Sequence, residues 1–218
     1  MILPCIDGPT PFPPVNQALN EPDGLLCFGG DLTTKRLYNA YSQGIFPWYS
    51  AEDPILWWSP SERMVLKPEE LHISKSLKKS IKKNKLAYFL NRNFKTVIEH
   101  CASIARKDNG TWIHPEMILA YTALFKAGHA FCLEVEIDNQ LAGGIYGVVI
   151  HNILCGESMF SLQTNGSKLA MVGLSQYMLE NDIQLLDCQL HNPHLDSLGA
   201  KLIAREQFIK QLNQFTSV

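Results

Sequence analysis

No apolar run in this 218-residue chain is long enough to cross a bilayer. The longest, "LAGGIYGVVI" (141–150), falls well short of the roughly 20 residues a spanning helix needs. The first residues, "MILPCIDGPTPFPPVNQ", lack the basic segment and apolar block of a secretory leader. There is no C-x-x-C pair. The six cysteines are scattered, mostly among apolar neighbours, which argues against a disulfide framework and for reduced thiols in a cytoplasmic protein. Internal repeats and low-complexity tracts are missing too, so a solenoid is excluded. Nor is there an excess of charge. A net charge of −2 rules out a generic polyanion binder. "HNPH" (191–194) offers two histidines without a third ligand at metal spacing, so no metal is expected.

What charge there is lies unevenly. Six of the nineteen Lys and Arg residues fall in "KSLKKSIKKNK" (75–85). At helical spacing Leu77 and Ile81 form a narrow apolar stripe, and Lys75, Lys78, Lys79, Lys82 and Lys83 cover the remaining surface. Such a helix is either a solvated face or a surface that holds phosphates by counterion release.

Residues 1–60 read as a small N-terminal domain, rich in Pro, Gly and aromatics. Its one clear helix is capped by Asp31 or Thr33, turns Leu37, Tyr38 and Tyr41 inward and stops at Gly44. Then "IFPWYSAEDPILWWSP" (45–60) carries three of the four tryptophans in a loop-like segment. From residue 61 to 218 the pattern is regular. "RMVLK" and "LAYFLN" read as strands, "NFKTVIEHCASIARK" (93–107) and "HPEMILAYTALFKAGH" as helices. "FCLEVEI", "LAGGIYGVVI" and "ILCGESMF" make an antiparallel meander. The helix "SKLAMVGLSQYMLEN", the strand "QLLDCQL", a short helix in "HLDSLGA" and the helix "REQFIKQLNQF" complete the chain. The fold class is α+β, a mainly antiparallel sheet flanked by helices. The order of elements is that of the CoA-dependent N-acetyltransferases (GNAT-like), a likeness of fold that does not determine function.

Two carboxylates sit where burial is otherwise the rule: Glu157 in "LCGESMF" and Asp187 in "LLDCQ". A buried carboxylate is costly unless paired, so each marks either a structural ion pair or a place of chemistry. Strand alternation puts Cys155, Glu157 and Met159 on one face, and Leu185, Asp187 and Gln189 on one face. If the strands are neighbours, two acids and an amide surround one cleft, with Met159 and Leu185 as apolar wall. Cys188 then faces away, and no histidine motif supports a thiol nucleophile. The loop "SLQTNGSKLA" has only Gly166, then Lys168, where a pyrophosphate-binding loop needs small residues, so CoA use is poorly supported. The tryptophans are either core or stacking platforms for nucleobases.

"EPDGLLCFGGDLT", "GIFPWYS", "DPILWWSP", "LHISKSLKK", "GTWI", "GESMFS", "LLDCQL" and "SLGA", in this order, resemble the bacterial leucyl/phenylalanyl-tRNA–protein transferases over essentially the whole chain. The resemblance implies an aminoacyltransferase that takes Leu or Phe from Leu-tRNA or Phe-tRNA. It implies transfer to the α-amine of proteins with N-terminal Arg or Lys, which marks them for degradation, with charged tRNA replacing acetyl-CoA on a GNAT-like domain. It further implies Glu157, Asp187 and Gln189 as active-site residues. Trp48 and Trp112 would contact the terminal adenosine, Met159 the wall of the Leu/Phe pocket, and the lysine helix the tRNA. Leu162 stands where the family commonly has Arg, and Gly166 where Ala is common. An aminoacyl ester is already activated, so no cofactor, ATP or metal is expected, and catalysis reduces to placing amine and ester. Asp187, oriented through Gln189, is expected to take or relay the amine's proton, and Glu157 to hold a cationic group. A monomer without membrane attachment is expected. The competing readings are a CoA-dependent N-acyltransferase of the same fold and a non-catalytic tRNA- or peptide-binding module.

Overall fold

The computed structural model describes residues 3–104 and 112–214. Residues 105–107 of the expected 93–107 helix and part of "GTWI" lie outside them. Two sheets organise the chain. The smaller contains β1 (Cys5–Ile6), β2 (Leu25–Gly29), β3 (Phe46–Pro47) and β4 (Leu56–Trp58) in the order β1-β2-β4-β3. Between β2 and β3 runs α1 (Thr34–Tyr41), whose first turn is capped by Thr33 accepting from the Arg36 N–H at 3.3 Å. The chain leaves this helix through Gly44 at φ +74°, and a Cβ there would stand 2.4 Å from Ile209 Cδ1. The aromatic segment after it is not loop throughout: β3 and β4 pair antiparallel, Phe46 with Trp58 and Pro47 with Trp57. Pro47 is tolerated because β3 is the edge strand.

The larger sheet comprises β5 (Glu62–Leu66), β6 (Leu86–Leu90), β7 (Ala130–Ile137), β8 (Gln140–Ile150), β9 (Ile153–Ser161), β10 (Leu185–Gln189) and β11 (Lys201–Ala204), in the order β11-β5-β10-β9-β8-β7-β6. All neighbours are antiparallel except β9 and β10. That parallel pair requires a crossover, supplied by α5 (Gly166–Glu180). The meander β7–β8–β9 forms as expected, with left-handed residues Asp138, Asn139 and His151 at its turns. Between the "SLGA" turn and the last helix lies β11, which was not expected. It pairs its four residues with β5 on the edge.

Helices cover both faces of the sheet. On one side α3 (Phe94–Ser103), α4 (Pro115–Lys126) and α7 (Arg205–Gln214) meet the strands, and residues of the small sheet join the same apolar cluster, from Ile6 and Trp57 to Tyr146 and Phe208. On the other, α5 packs with α2 (Lys75–Lys83) and α6 (Pro193–Asp196) against Leu133, Ile145, Leu154 and Leu186. Burial on both faces explains why the strands read as nearly continuous apolar runs rather than strict alternation. Among the described residues no helix is long and apolar enough to cross a membrane.

Two backbone irregularities decide where the site lies. In β9 the partners of Tyr146 and Gly147 are Ser158 and Gly156, so Glu157 is the extra residue of a bulge. In β10 the register with β5 shifts between Asp187 and Gln189, and Gln189 adopts φ +57°. The parallel pairs between β9 and β10 end at Asp187 with Cys155. Beyond that last pair a cleft opens at the ends of the strands, as is general for crevices at parallel strand ends.

Candidate active site

The cleft has a volume of about 1130 Å³. One wall is aromatic: Phe46, Trp48 and Trp58 from the small sheet's segment, with Trp112 and His114 ahead of α4. Trp48 is 42% exposed, yet its place is held. Trp58 meets it edge-to-face at 5.6 Å and donates its indole N–H to the Trp48 carbonyl at 2.6 Å. Trp57, one residue earlier, points the other way into the core, fully buried, with its N–H on Gly29 O at 2.9 Å. The opposite wall is aliphatic, with Met159, Ile145, Leu186 and Leu195. Acids line the cleft at Glu52, Asp53 and Glu157, and no Lys or Arg is among the described lining residues.

The bulge turns Glu157 away from the Met159 side. Glu157 follows Cys155 toward α1 and α4, while Met159 packs with the α5-side cluster. The expectation that Glu157 and Met159 share a face therefore fails, although both still line the cleft. Tyr121 donates its hydroxyl to Glu157 Oε2 at 3.2 Å, and the Tyr41 hydroxyl lies 2.5 Å from that of Tyr121. The other oxygen, Oε1, is buried with no partner among the described residues. Burial raises the carboxyl pKa to about 7; the tyrosine hydroxyls pull it down and the charge of Asp187 adds to the rise. A carboxyl in this state changes charge near neutrality.

Asp187 stands one layer behind. It does not line the cleft, contrary to expectation. Arg63 grips it with two parallel bonds, Nε to Oδ1 and Nη2 to Oδ2, each 2.7 Å. Both side chains are essentially inaccessible, at 2% and 0% exposure. Asp187 also accepts the Gln189 backbone N–H on Oδ1 at 2.9 Å and lies within 3.4 Å of Gln189 Nε2. Gln189 itself lines the cleft. Sequence reasoning missed Arg63, Tyr41 and Tyr121 as partners of the acids. For Arg63 the signal was there: an arginine inside the apolar strand "RMVL" raises the same question as the two acids.

The lysine helix forms as expected. Ser74 caps α2 by accepting from the Leu77 N–H at 3.2 Å, and Leu77 is buried beneath. Lys75, Lys78, Lys79, Lys82 and Lys83 are all exposed; none lines the cleft or pairs with an acid among the described residues. At the start of α5, where a CoA pyrophosphate would bind, several of the backbone donors are already used. Leu162 and Gln163 both donate to Ala142 O at 2.8 and 3.1 Å, and Ser167 N–H donates to Ser161 Oγ at 2.7 Å. A Cβ on Gly166 would stand 2.0 Å from Ala142 O, so the helix end rests directly on β8.

Residues 65–213 match the family model described as leucyl/phenylalanyl-tRNA protein transferase, and residues 30–61 match the model of that family's N-terminal domain. The chain belongs to this family. Among its relatives, the leucyl/phenylalanyl-tRNA–protein transferase of Shewanella piezotolerans is 50% identical over 201 residues, covering 92% of this chain and 85% of the relative. That of Nitrosomonas europaea is 51% identical over 209 residues, covering 96% and 89%. Solved structures with partial likeness include FemX, with a TM-score of 0.49 and 10% identity over 82% of this chain and 70% of that one. A GCN5-related N-acetyltransferase from Kribbella flavida has a TM-score of 0.43 and 11% identity over 77% and 60%.

Proposed function

We propose that the chain moves Leu or Phe from charged tRNA onto the α-amine of proteins that begin with Arg or Lys, tagging them for degradation. Family membership supports the class of reaction. The observation that carries the assignment of roles is the convergence of Glu157, Gln189 and an exposed aromatic wall on one cleft with no Lys or Arg among its described lining residues. A terminal adenosine fits such a wall, stacked on Trp48 and Trp112, at about 1–3 kcal/mol per base. Phosphates do not suit an acid-lined cleft and belong outside it, on Lys75, Lys78, Lys79, Lys82 and Lys83. The esterified Leu or Phe side chain lies against Met159 and its aliphatic neighbours, where small residues lose burial.

The reaction is aminolysis of an ester. The acceptor nitrogen attacks the aminoacyl carbonyl carbon, the carbon–oxygen bond to the ribose breaks, and the released ribose oxygen takes the proton that the nitrogen gives up. The acceptor arrives as an ammonium, with an ordinary pKa of about 7.7–8.0. Glu157, at about 7, is close enough to hold that cation and take one proton from it. Gln189 then accepts a second N–H and aims the lone pair. Asp187 acts from behind, through Gln189, and touches neither substrate. Because the ester is already activated, neither ATP nor a metal enters these steps. The chain is read as a monomer that acts in the cytoplasm, where charged tRNA is made.

The test offers labelled Leu-tRNA or Phe-tRNA with a peptide starting in Arg, beside labelled acetyl-CoA with the same peptide. Label should pass from tRNA alone. Label passing from CoA alone defeats this reading, as does binding of charged tRNA without any transfer.

A further inference from the structure

We infer that Arg63 is a positioning residue of the transfer reaction: by gripping Asp187 it holds the Gln189 carboxamide in the one orientation that presents its oxygen to the cleft. The inference rests on the reading of Gln189 given above.

Geometry leads to it in three steps. The carboxylate of Asp187 accepts from Arg63 Nε and Nη2 and from the Gln189 backbone N–H, all at 2.7–2.9 Å. Saturated this way and shut from the cleft, it is not available to take a proton from an amine. Next, a carboxylate only accepts, so the amide group turned toward it must be the NH₂. Gln189 Nε2 indeed lies 3.3 Å from Asp187 O and 3.4 Å from Oδ2. The carboxamide oxygen is thereby the atom left for the cleft, which Gln189 lines. Last, Gln189 holds φ +57°, a backbone region unfavourable for a side-chain-bearing residue unless its surroundings impose it. The bond from its N–H to Asp187 is such an imposition.

Arginine suits this task and lysine does not. The planar fork matches both carboxylate oxygens at once, and its third nitrogen, Nη1, donates to Gly44 O at 3.0 Å. The guanidinium is stacked between Phe46 and Phe208, 4.8 and 4.7 Å from the ring centroids.

The test is a mutant cycle with labelled Phe-tRNA and a peptide starting in Arg. Removing Arg63 alone strands a buried charge and endangers the fold, so it is paired with neutralisation of its partner. In the double variant Arg63→Met, Asp187→Asn, the methionine refills the space between the two rings. Near-ultraviolet circular dichroism and a melt check that it folds. Expected are a kcat lower by about 10²-fold, the scale of a small misplacement of a reacting group, and a KM for charged tRNA within about threefold of the parent. In a Gln189→Ala background the same double exchange should cost less than about threefold more, because its effect runs through Gln189. A folded double variant with parental kcat, or a loss that multiplies fully with that of Gln189→Ala, reduces Arg63 and Asp187 to supports of the sheet. If Gln189→Ala alone keeps full kcat, the reading of Gln189 fails, and Arg63 loses its role with it. Should the double variant not fold, Arg63→Lys, which keeps the charge without the fork, takes its place in the same cycle.

Discussion

Tyr121 and Glu157 meet across 36 positions of sequence at the back of the cleft, phenol oxygen to carboxylate at 3.2 Å, and this contact leaves the second carboxylate oxygen buried and without a partner among the described residues. An acid held by one oxygen on a tyrosine, with its other oxygen unused, keeps an acceptor position that the described residues do not fill. Burial sets its titration at about 7 instead of the usual carboxylate range.

This gives a pH dependence with a definite sign. The reactive combination is an ionised Glu157 and a protonated acceptor amine. With donor tRNA saturating, kcat/KM for the acceptor should rise as pH climbs through about 7, where Glu157 loses its proton. It should fall again near about 8, where the free amine loses its own. Glu157→Gln should remove the rising limb and lower the maximum by about 10²-fold. A rising limb that survives in Glu157→Gln assigns it to another group.

The tyrosine contact predicts a shift of that limb. The Tyr41 and Tyr121 hydroxyls, 2.5 Å apart, both favour the ionised carboxylate, and Tyr121 is the one that donates to it. Tyr121→Phe removes one of them and should carry the rising limb to higher pH, leaving the falling limb where it was. The two pH–rate profiles, measured side by side, check this; coincident rising limbs refute it.

Trp48 and Trp57 should behave oppositely although only nine positions apart. Trp48→Ala removes an exposed face of the cleft, so it should raise KM for charged tRNA about tenfold at an unchanged melting temperature. Trp57→Ala empties a core site and should lower stability by about 3–5 kcal/mol, seen in a denaturant titration. Loss of stability in Trp48→Ala to the same degree contradicts its place on the wall.

That contrast shows where sequence reading reaches and where it stops. Polar residues inside apolar runs stand out because their burial is costly, and Glu157 and Gln189 do open on the cleft. Their directions were not legible. Alternation with period two presumes an unbroken ladder, and the ladder breaks at both residues, by a bulge at Glu157 and a left-handed backbone at Gln189. Asp187 was read as facing the cleft, whereas the other meaning of a buried acid, a structural ion pair, describes its contact with Arg63. The meander and the helices carried enough periods to be read. The strands β1, β3 and β11 have two to four residues each and too few positions to show any. Which tryptophan turns inward depends on the β3–β4 pairing, invisible without partners.

The lysine helix separates affinity from chemistry. Its stripe, Leu77 and Ile81, anchors it on α5's side of the sheet, and the five lysines face solvent without an acid beside them among the described residues. Replacing Lys78, Lys79, Lys82 and Lys83 by Ala removes charge and leaves that anchor intact, so the melting temperature should hold. Each lysine that meets a phosphate contributes about 0.7–0.9 to the slope of log affinity against log salt. Binding of charged tRNA measured from low to moderate salt should therefore weaken most at low salt and lose a slope of up to about 3.6. The rate at saturating tRNA should stay at the parental value, since none of the four lines the cleft. An unchanged slope returns the helix to an ordinary solvated surface, and the phosphates must then be sought on another face.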